Sequence, residues 1–304
     1  MPLHSTSGQL LRHPWLPSIE GVNYTASPDL ITTFSFFAGP EIEDDKIDLV
    51  RAALVVAQTE YPDLDTESYA TRVEEIARRV ASLVPEPQPR PALAALNRVL
   101  FEEVKLRGNR SDYYDPRNSF LNDVLDRELG IPITLSIVYM EVARRVGLPL
   151  CGVGMPGHFL LKHYSEDGKE TLIDCFNRGD IVSRQDCQSR LDEIYEGEMK
   201  LRPEFLRPIG RRQILTRMLN NLKTVYLSTR NFRKALPIAD LILVVYPKSA
   251  EDVKQRALLR YSMNLQRLAG EDLEEYLRIA PGASDAEEIK QMSVSIKRMR
   301  ALMN

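Results

Sequence analysis

Apolar residues recur at three- and four-residue steps along most of the chain and switch to strand-like runs in one middle stretch. Residues 44–60 (DDKIDLVRAALVVAQTE) predict a helix that stops at Tyr61-Pro62. Residues 66–84 predict a second, with Tyr69, Val73, Ile76, Val80 and Leu83 on one face. Prolines at 85, 87, 89 and 91 exclude helix and predict a stiff extended connector. The helix after it would bury Leu93, Leu96, Leu100 and Val104. Residues 118–129 predict a short helix with Asn118 as N-cap and Gly130 as its end. Pro132 suits the first turn of the next helix, where no amide hydrogen is required. Leu135, Val138, Val142 and Val146 form the stripe of that helix, and Gly147 and Pro149 close it.

The pattern then changes. Segments 150–154, 158–163 and 170–176 read as strands, the last two joined by the hairpin loop YSEDGK. Helices followed by antiparallel strands predict an α+β fold. From about residue 210 the chain is helical again, and it repeats. Ala235 and Pro247 return as Ala269 and Pro281, 34 positions later, which is the tetratricopeptide period. The first repeat places Leu222 and Tyr226 on its first helix. The second has Arg256 and Arg260 there and reads as degenerate. A last helix is expected over 285–302. The expected segments are an N-terminal helical region over 1–88 packed on the core, the core over 89–208, and the repeats over 209–304.

Hydrophobic residues make up 43% of the chain and charged residues 27%, values of an ordinary globular protein. A net charge of -3 gives no field that would recruit nucleic acid or a membrane. Three cysteines, Cys151, Cys175 and Cys187, favour a reducing compartment over a disulfide framework. The start of the chain lacks a signal-peptide pattern, and LITTFSFFAG is about half the ~18 apolar residues a membrane helix needs. A cytoplasmic protein is expected. His158 and His163, five apart on one strand, would face opposite ways, and there is no metal-ligand spacing or glycine-rich phosphate loop. Neither a metal nor a cofactor is therefore expected.

His158 opens one predicted strand and Asp174 lies near the end of the next, so an antiparallel ladder would bring them together. A carboxylate beside an imidazole selects its tautomer and supports its positive charge, as in a nucleophile–histidine–acid triad. The same spacing also serves a histidine satisfied inside a sheet and an aspartate capping a turn.

The stretch NSFLNDVLDRELGIPITLSIVYMEVARRVGLPLCGVGMPGHFLLK, followed by LIDCFNRG, resembles the bacterial Sir-B-one family, which joins a transglutaminase-like domain to tetratricopeptide repeats. The resemblance spans roughly residues 40–280, and GIPITLS, GLPL, PGHFL and IDCFN carry it in combination. It implies a papain-like core in which a cysteine at a helix N-terminus faces a strand histidine and an aspartate. On that pattern His158 and Asp174 match the histidine and the acid, while the nucleophile position holds Pro132. It also makes Asn118, Arg127, Pro132 and Asn177 pattern residues expected to serve binding, with Arg127 able to pair with Asp123 one turn earlier.

Proline supplies no thiol and no amide hydrogen for an oxyanion. Thr134 and Ser136 are the hydroxyls on the same helix. Thr134 lies about 200° around the axis and Ser136 one turn deeper, and both also read as small packing residues. The resemblance and the proline together imply a non-catalytic protein. Its remnant cleft and repeats would bind a protein or peptide. The alternatives are an amide hydrolase or acyl transferase using His158 and Asp174 with a non-standard nucleophile or a bound water, and a structural scaffold without a cleft.

Overall fold

The computed structural model describes residues 25–84 and 88–303. They form two compact units, residues 42–218 and residues 25–41 with 219–303. The helix α1 (Pro28–Ala38) belongs to the second unit. It packs on a C-terminal helix, and the Ala26 amide donates to Asp240 Oδ2 at 3.1 Å. The unit boundaries thus differ from the segments expected at 88 and 208. The helices that follow residue 42 share their unit with the sheet, and residues 25–41 join the repeats.

In the first unit, α2 (Leu49–Ala57) starts at Asp48, whose carboxylate accepts from the Arg51 amide at 3.0 Å, and buries every residue but Arg51. It is shorter than the 44–60 pattern implied, because residues 44–46 form a separate 3-10 turn. The Asp44 carboxylate there accepts the Arg211 and Arg212 amides, at 2.9 Å each, at the start of α8 (Arg211–Ser228). A carboxylate at a helix N-terminus satisfies free amides and complements the dipole. Gly210 makes the approach possible, since a Cβ there would lie 2.5 Å from Asp44 Oδ2.

Helix α3 (Thr66–Ala81) buries Ala70, Val73, Ile76, Ala77 and Val80. Tyr69 sits at its edge and donates to Asp126 at 2.6 Å. Residues 85–87 of the expected proline connector lie outside the described residues. Pro89 and Pro91 are not extended but sit in the first turn of helix α4 (Pro89–Asn97), where no amide hydrogen is required. Helix α4 runs into a π-helical turn over Arg98–Glu103. A short parallel pair, β1 (Arg107–Gly108) and β2 (Leu129–Gly130), brackets α5 (Leu121–Arg127).

Helix α6 (Pro132–Arg145) is buried from Pro132 to Ala143. The four-residue stripe expected of it understates this. Helices α2, α3 and α4 pack against it, and so does the main sheet. Its Glu141 is fully buried, and its carboxylate accepts from Arg144, Arg145 and Arg211.

The main sheet is antiparallel with order β6-β5-β4-β3-β7. Its strands are β3 (Cys151–Val153), β4 (Leu160–Tyr164), β5 (Glu170–Asp174), β6 (Asp180–Val182) and β7 (Pro208–Ile209). Val153, Leu160 and Leu172 form a core with Cys187 and Leu191 of α7 (Arg184–Tyr195). The residues alternate across the pleat, so Leu161 and Ile173 face the other way.

The second unit continues with α9 (Phe232–Val245), α10 (Ala250–Ser262), α11 (Gln266–Ile279) and α12 (Ala286–Met303). Ala235 and Ala269, the repeated alanines, are both fully buried. The second repeat departs from the pattern at Arg256 and Arg260, which lie one turn apart on α10. Arg256 bridges Asp272 of α11, at 2.7 and 3.0 Å, and Asp240 of α9, at 3.0 Å. Arg260 bonds the same two aspartates at 2.7 and 3.3 Å. An ion cluster of three buried residues and the partly buried Arg256 thus stands where the second repeat reads as degenerate. Buried charges persist only when paired in this way.

Candidate functional site

His158 follows a tight turn between β3 and β4, two residues before β4 begins. Gly157 makes the turn at φ +69°, and a Cβ there would lie 2.7 Å from Ile194 Cδ1 of α7. The expectation that His158 opens the strand is off by that turn. His158 is nevertheless held firmly. Its amide donates to Met155 O at 3.2 Å. Arg217 of α8 donates from one nitrogen to Met155 O at 2.6 Å and to His158 O at 2.8 Å.

Asp174 is the last residue of β5 and caps the 3-10 turn Cys175–Asn177. His158 Nε2 and Asp174 Oδ2 are 2.9 Å apart, and both side chains are buried. A carboxylate only accepts, so Nε2 carries the proton, and Nδ1 is the acceptor of the neutral ring. Asp174 Oδ1 accepts the amides of Phe176 and Asn177 at 3.0 and 3.2 Å. The Asn177 side chain donates to Oδ2 at 2.7 Å, and Arg190 of α7 lies 3.7 Å from that oxygen. Burial pushes the Asp174 carboxyl up, but His158, Asn177 and Arg190 outweigh it and hold the group below the usual carboxylate range. The triad-like pairing and the turn-capping aspartate, alternatives on spacing, coexist here.

The other sequence-derived residues fall elsewhere. Pro132 occupies the first position of α6 and is buried. Thr134 Oγ1 accepts from the Ile131 amide at 3.1 Å and donates to Asn118 O at 2.8 Å. Its hydroxyl caps the helix. The Ser136 hydroxyl is fully buried against the Cys175 thiol, where it offsets part of the cost of burial, and has no conventional hydrogen bond. Burial pushes that thiol far up, which makes Cys175 inert at neutral pH.

Asn118 is not an N-cap. It sits fully buried in a 3-10 turn. Its side chain accepts from Asn109 at 3.0 Å and donates to Asp112 O and Tyr113 O at 2.7 and 3.2 Å. It ties the 109–113 loop to α6 through these bonds and through its carbonyl, which accepts from Thr134. Arg127 pairs with Asp115 at 3.0 Å, not with Asp123, whose carboxylate accepts from Tyr61 at 2.8 Å. Asn177, half-buried, is the pattern residue that does reach the pair.

Residues that no local pattern marks complete the surroundings. His158 packs edge-on against Phe176 with ring centres 6.2 Å apart, and Phe176 against Tyr113 at 6.1 Å. Arg110 lies 5.3 Å over the Phe176 ring and donates to the Asn177 side chain. Gly108 admits the Phe176 ring, which a Cβ there would meet at 2.5 Å. Among the described residues, no group of three or more histidine, cysteine or acidic side chains is placed to hold a metal.

The fold is a helix-flanked antiparallel sheet in which a histidine just before β4 meets the aspartate that ends the neighbouring β5. Residues 67–220 match the transglutaminase-like superfamily and residues 222–293 the tetratricopeptide repeat. The chain belongs to the UPF0162 proteins of that superfamily. A UPF0162 protein of Xylella fastidiosa is 36% identical over 263 residues, covering 85% of this chain and 93% of the relative. One of Vibrio cholerae is 27% identical over 247 residues, covering 81% and 91%. F-box only protein 21 of Mus musculus is 29% identical over 183 residues, 57% of this chain but 28% of that protein. No solved structure matches the chain.

Proposed function

We propose that this chain is a non-catalytic transglutaminase-like protein of the Sir-B-one family, acting in the cytoplasm through protein–protein interaction. The observation that carries the reading is Pro132 at the first position of α6, where the superfamily pattern places its thiol. The neighbouring hydroxyls do not replace it, because Thr134 caps the helix and Ser136 is packed on Cys175. His158 and Asp174 would then shape a binding surface and not activate a nucleophile. Tetratricopeptide helices commonly offer a second protein-binding surface, and none of the described helices is long and apolar enough to cross a membrane.

The intact His158–Asp174 pair favours one competing reading. In it the chain hydrolyses amides or transfers acyl groups, with a bound water or a non-standard nucleophile working against His158. An amine donor and a casein-like acceptor, given to wild type and to His158→Ala, separate the two. The non-catalytic reading expects no modified acceptor from either protein and loss of a specific lysate partner by the variant. Turnover by wild type that His158→Ala abolishes would replace it with the enzyme reading.

A further inference from the structure

Charge around His158 is unbalanced. Three guanidiniums, those of Arg110, Arg190 and Arg217, surround the pair and its aromatic neighbours. The carboxylate among them is Asp174, and it is already engaged by His158, Asn177 and two backbone amides. Arg110 bonds to the Asn177 amide oxygen and lies on the Phe176 ring. Arg217 bonds to two backbone carbonyls and lies 5.9 Å from the Phe159 ring centre. Among the described residues neither arginine pairs with a carboxylate, Asp112 of the same loop included. Burial pushes the Arg217 guanidinium down from its ordinary value. A guanidinium drawn from water is normally matched by an anion, because its desolvation is otherwise uncompensated.

The rim is shaped for contact. Asn109, Asn118 and Asp115 tie down the loop that carries Arg110, Tyr113 and Tyr114 through side-chain bonds to its backbone and to one another. Tyr114 is 71% exposed and stands edge-on to Tyr113 with ring centres 5.4 Å apart. A hydrogen-bonded loop presenting tyrosines beside arginines has the composition of an interface centre.

We propose that this surface docks an acidic segment of a partner protein. Its carboxylates would be taken by Arg110 and Arg217, and an apolar side chain would lie on Tyr113 and Tyr114. The proposal rests on the binding reading above and names its partner chemistry. Charge complementarity selects the occupant, since a basic or neutral segment leaves the guanidiniums unmatched.

The test is fluorescence anisotropy with the full chain and two labelled, amidated peptides. One alternates glutamate with leucine and tyrosine, and its counterpart carries glutamine for each glutamate. The glutamate peptide is expected to bind at least tenfold more tightly and to weaken as salt rises. Arg110 is exposed, so Arg110→Ala leaves the fold intact; it is expected to lower affinity about tenfold, the usual loss for a charge-assisted bond. Tyr114→Ala is expected to weaken binding as well, and Arg267→Ala, at an exposed arginine of α11 in the second unit, to leave it unchanged. Equal binding of the two peptides, no binding of either, or an Arg110→Ala affinity equal to wild type overturns the proposal. Amine incorporation into an acceptor protein would overturn the non-catalytic reading separately, whatever these peptides do.

Discussion

Asp174 divides its two oxygens between His158 and its own turn. Oδ2 meets His158 Nε2 at 2.9 Å, while Oδ1 accepts the Phe176 and Asn177 amides at 3.0 and 3.2 Å. One carboxylate therefore orients the imidazole and starts the 3-10 turn that seats Phe176 against the imidazole edge. The pair is a structural joint whatever else it does.

That joint makes stability depend on acid. The Asp174 carboxyl is held below its ordinary value in the folded chain, so on acidification the unfolded chain takes up the proton first. The contribution of Asp174 is complete above the ordinary carboxylate range, near pH 4, and is lost as pH falls through the lowered folded value. Urea midpoints from pH 7 to pH 3 are expected to fall less steeply for Asp174→Asn than for wild type. At pH 7 the variant should lie about 1–3 kcal/mol lower, the cost of weakening a buried charge-assisted bond.

The cluster of Arg256, Arg260, Asp240 and Asp272 predicts strong coupling. Removing one member strands a buried charge, so Arg256→Ala is expected to cost about 3–5 kcal/mol. Adding Asp272→Ala to it should cost much less than Asp272→Ala alone. A double-mutant cycle read by thermal unfolding checks this, and simple additivity would show that the four residues act independently.

Thr134 supplies the polar end of α6. Thr134→Val keeps the shape of the side chain and removes the cap on Ile131 and the bond to Asn118 O. A loss of about 1–2 kcal/mol is expected in denaturant titration. A comparable loss is not expected for Ser136→Ala, because that hydroxyl makes no conventional bond.

Pro132→Cys tests the match to the superfamily pattern. A thiol at the first turn of α6 gains acidity from the helix N-terminus, and the superfamily pattern would also set it opposite His158. Iodoacetamide at pH 7 is expected to label the variant faster than wild type, and His158→Ala in the same background to slow it. An unreactive new thiol would show that the position does not face His158.

Much of this was legible in the residue order. Period alone placed α3, α6 and the five C-terminal helices, and the 34-residue spacing of Ala235 and Ala269 matched their shared burial. The strand segments and the approach of His158 to Asp174 also followed, because alternation and a short hairpin leave little freedom of register. Asn118 and Arg127 did not follow. Each had a plausible neighbour within four residues, yet Asn118 bonds to a loop and Arg127 to Asp115, contacts that only folding supplies.

Arg256 and Arg260 show the same limit from the other side. Read along the chain they spoil a repeat; in the folded unit they meet Asp240 and Asp272, 16 and 12 positions away for the bonds each makes most closely. Local periodicity determines which residues become helix or strand and which face is apolar, because those depend on neighbours within one or two turns. Partners for buried charge are decided by packing. Arg217 could be known to hold the turn of His158, 59 residues earlier, only once α8 and the sheet had met.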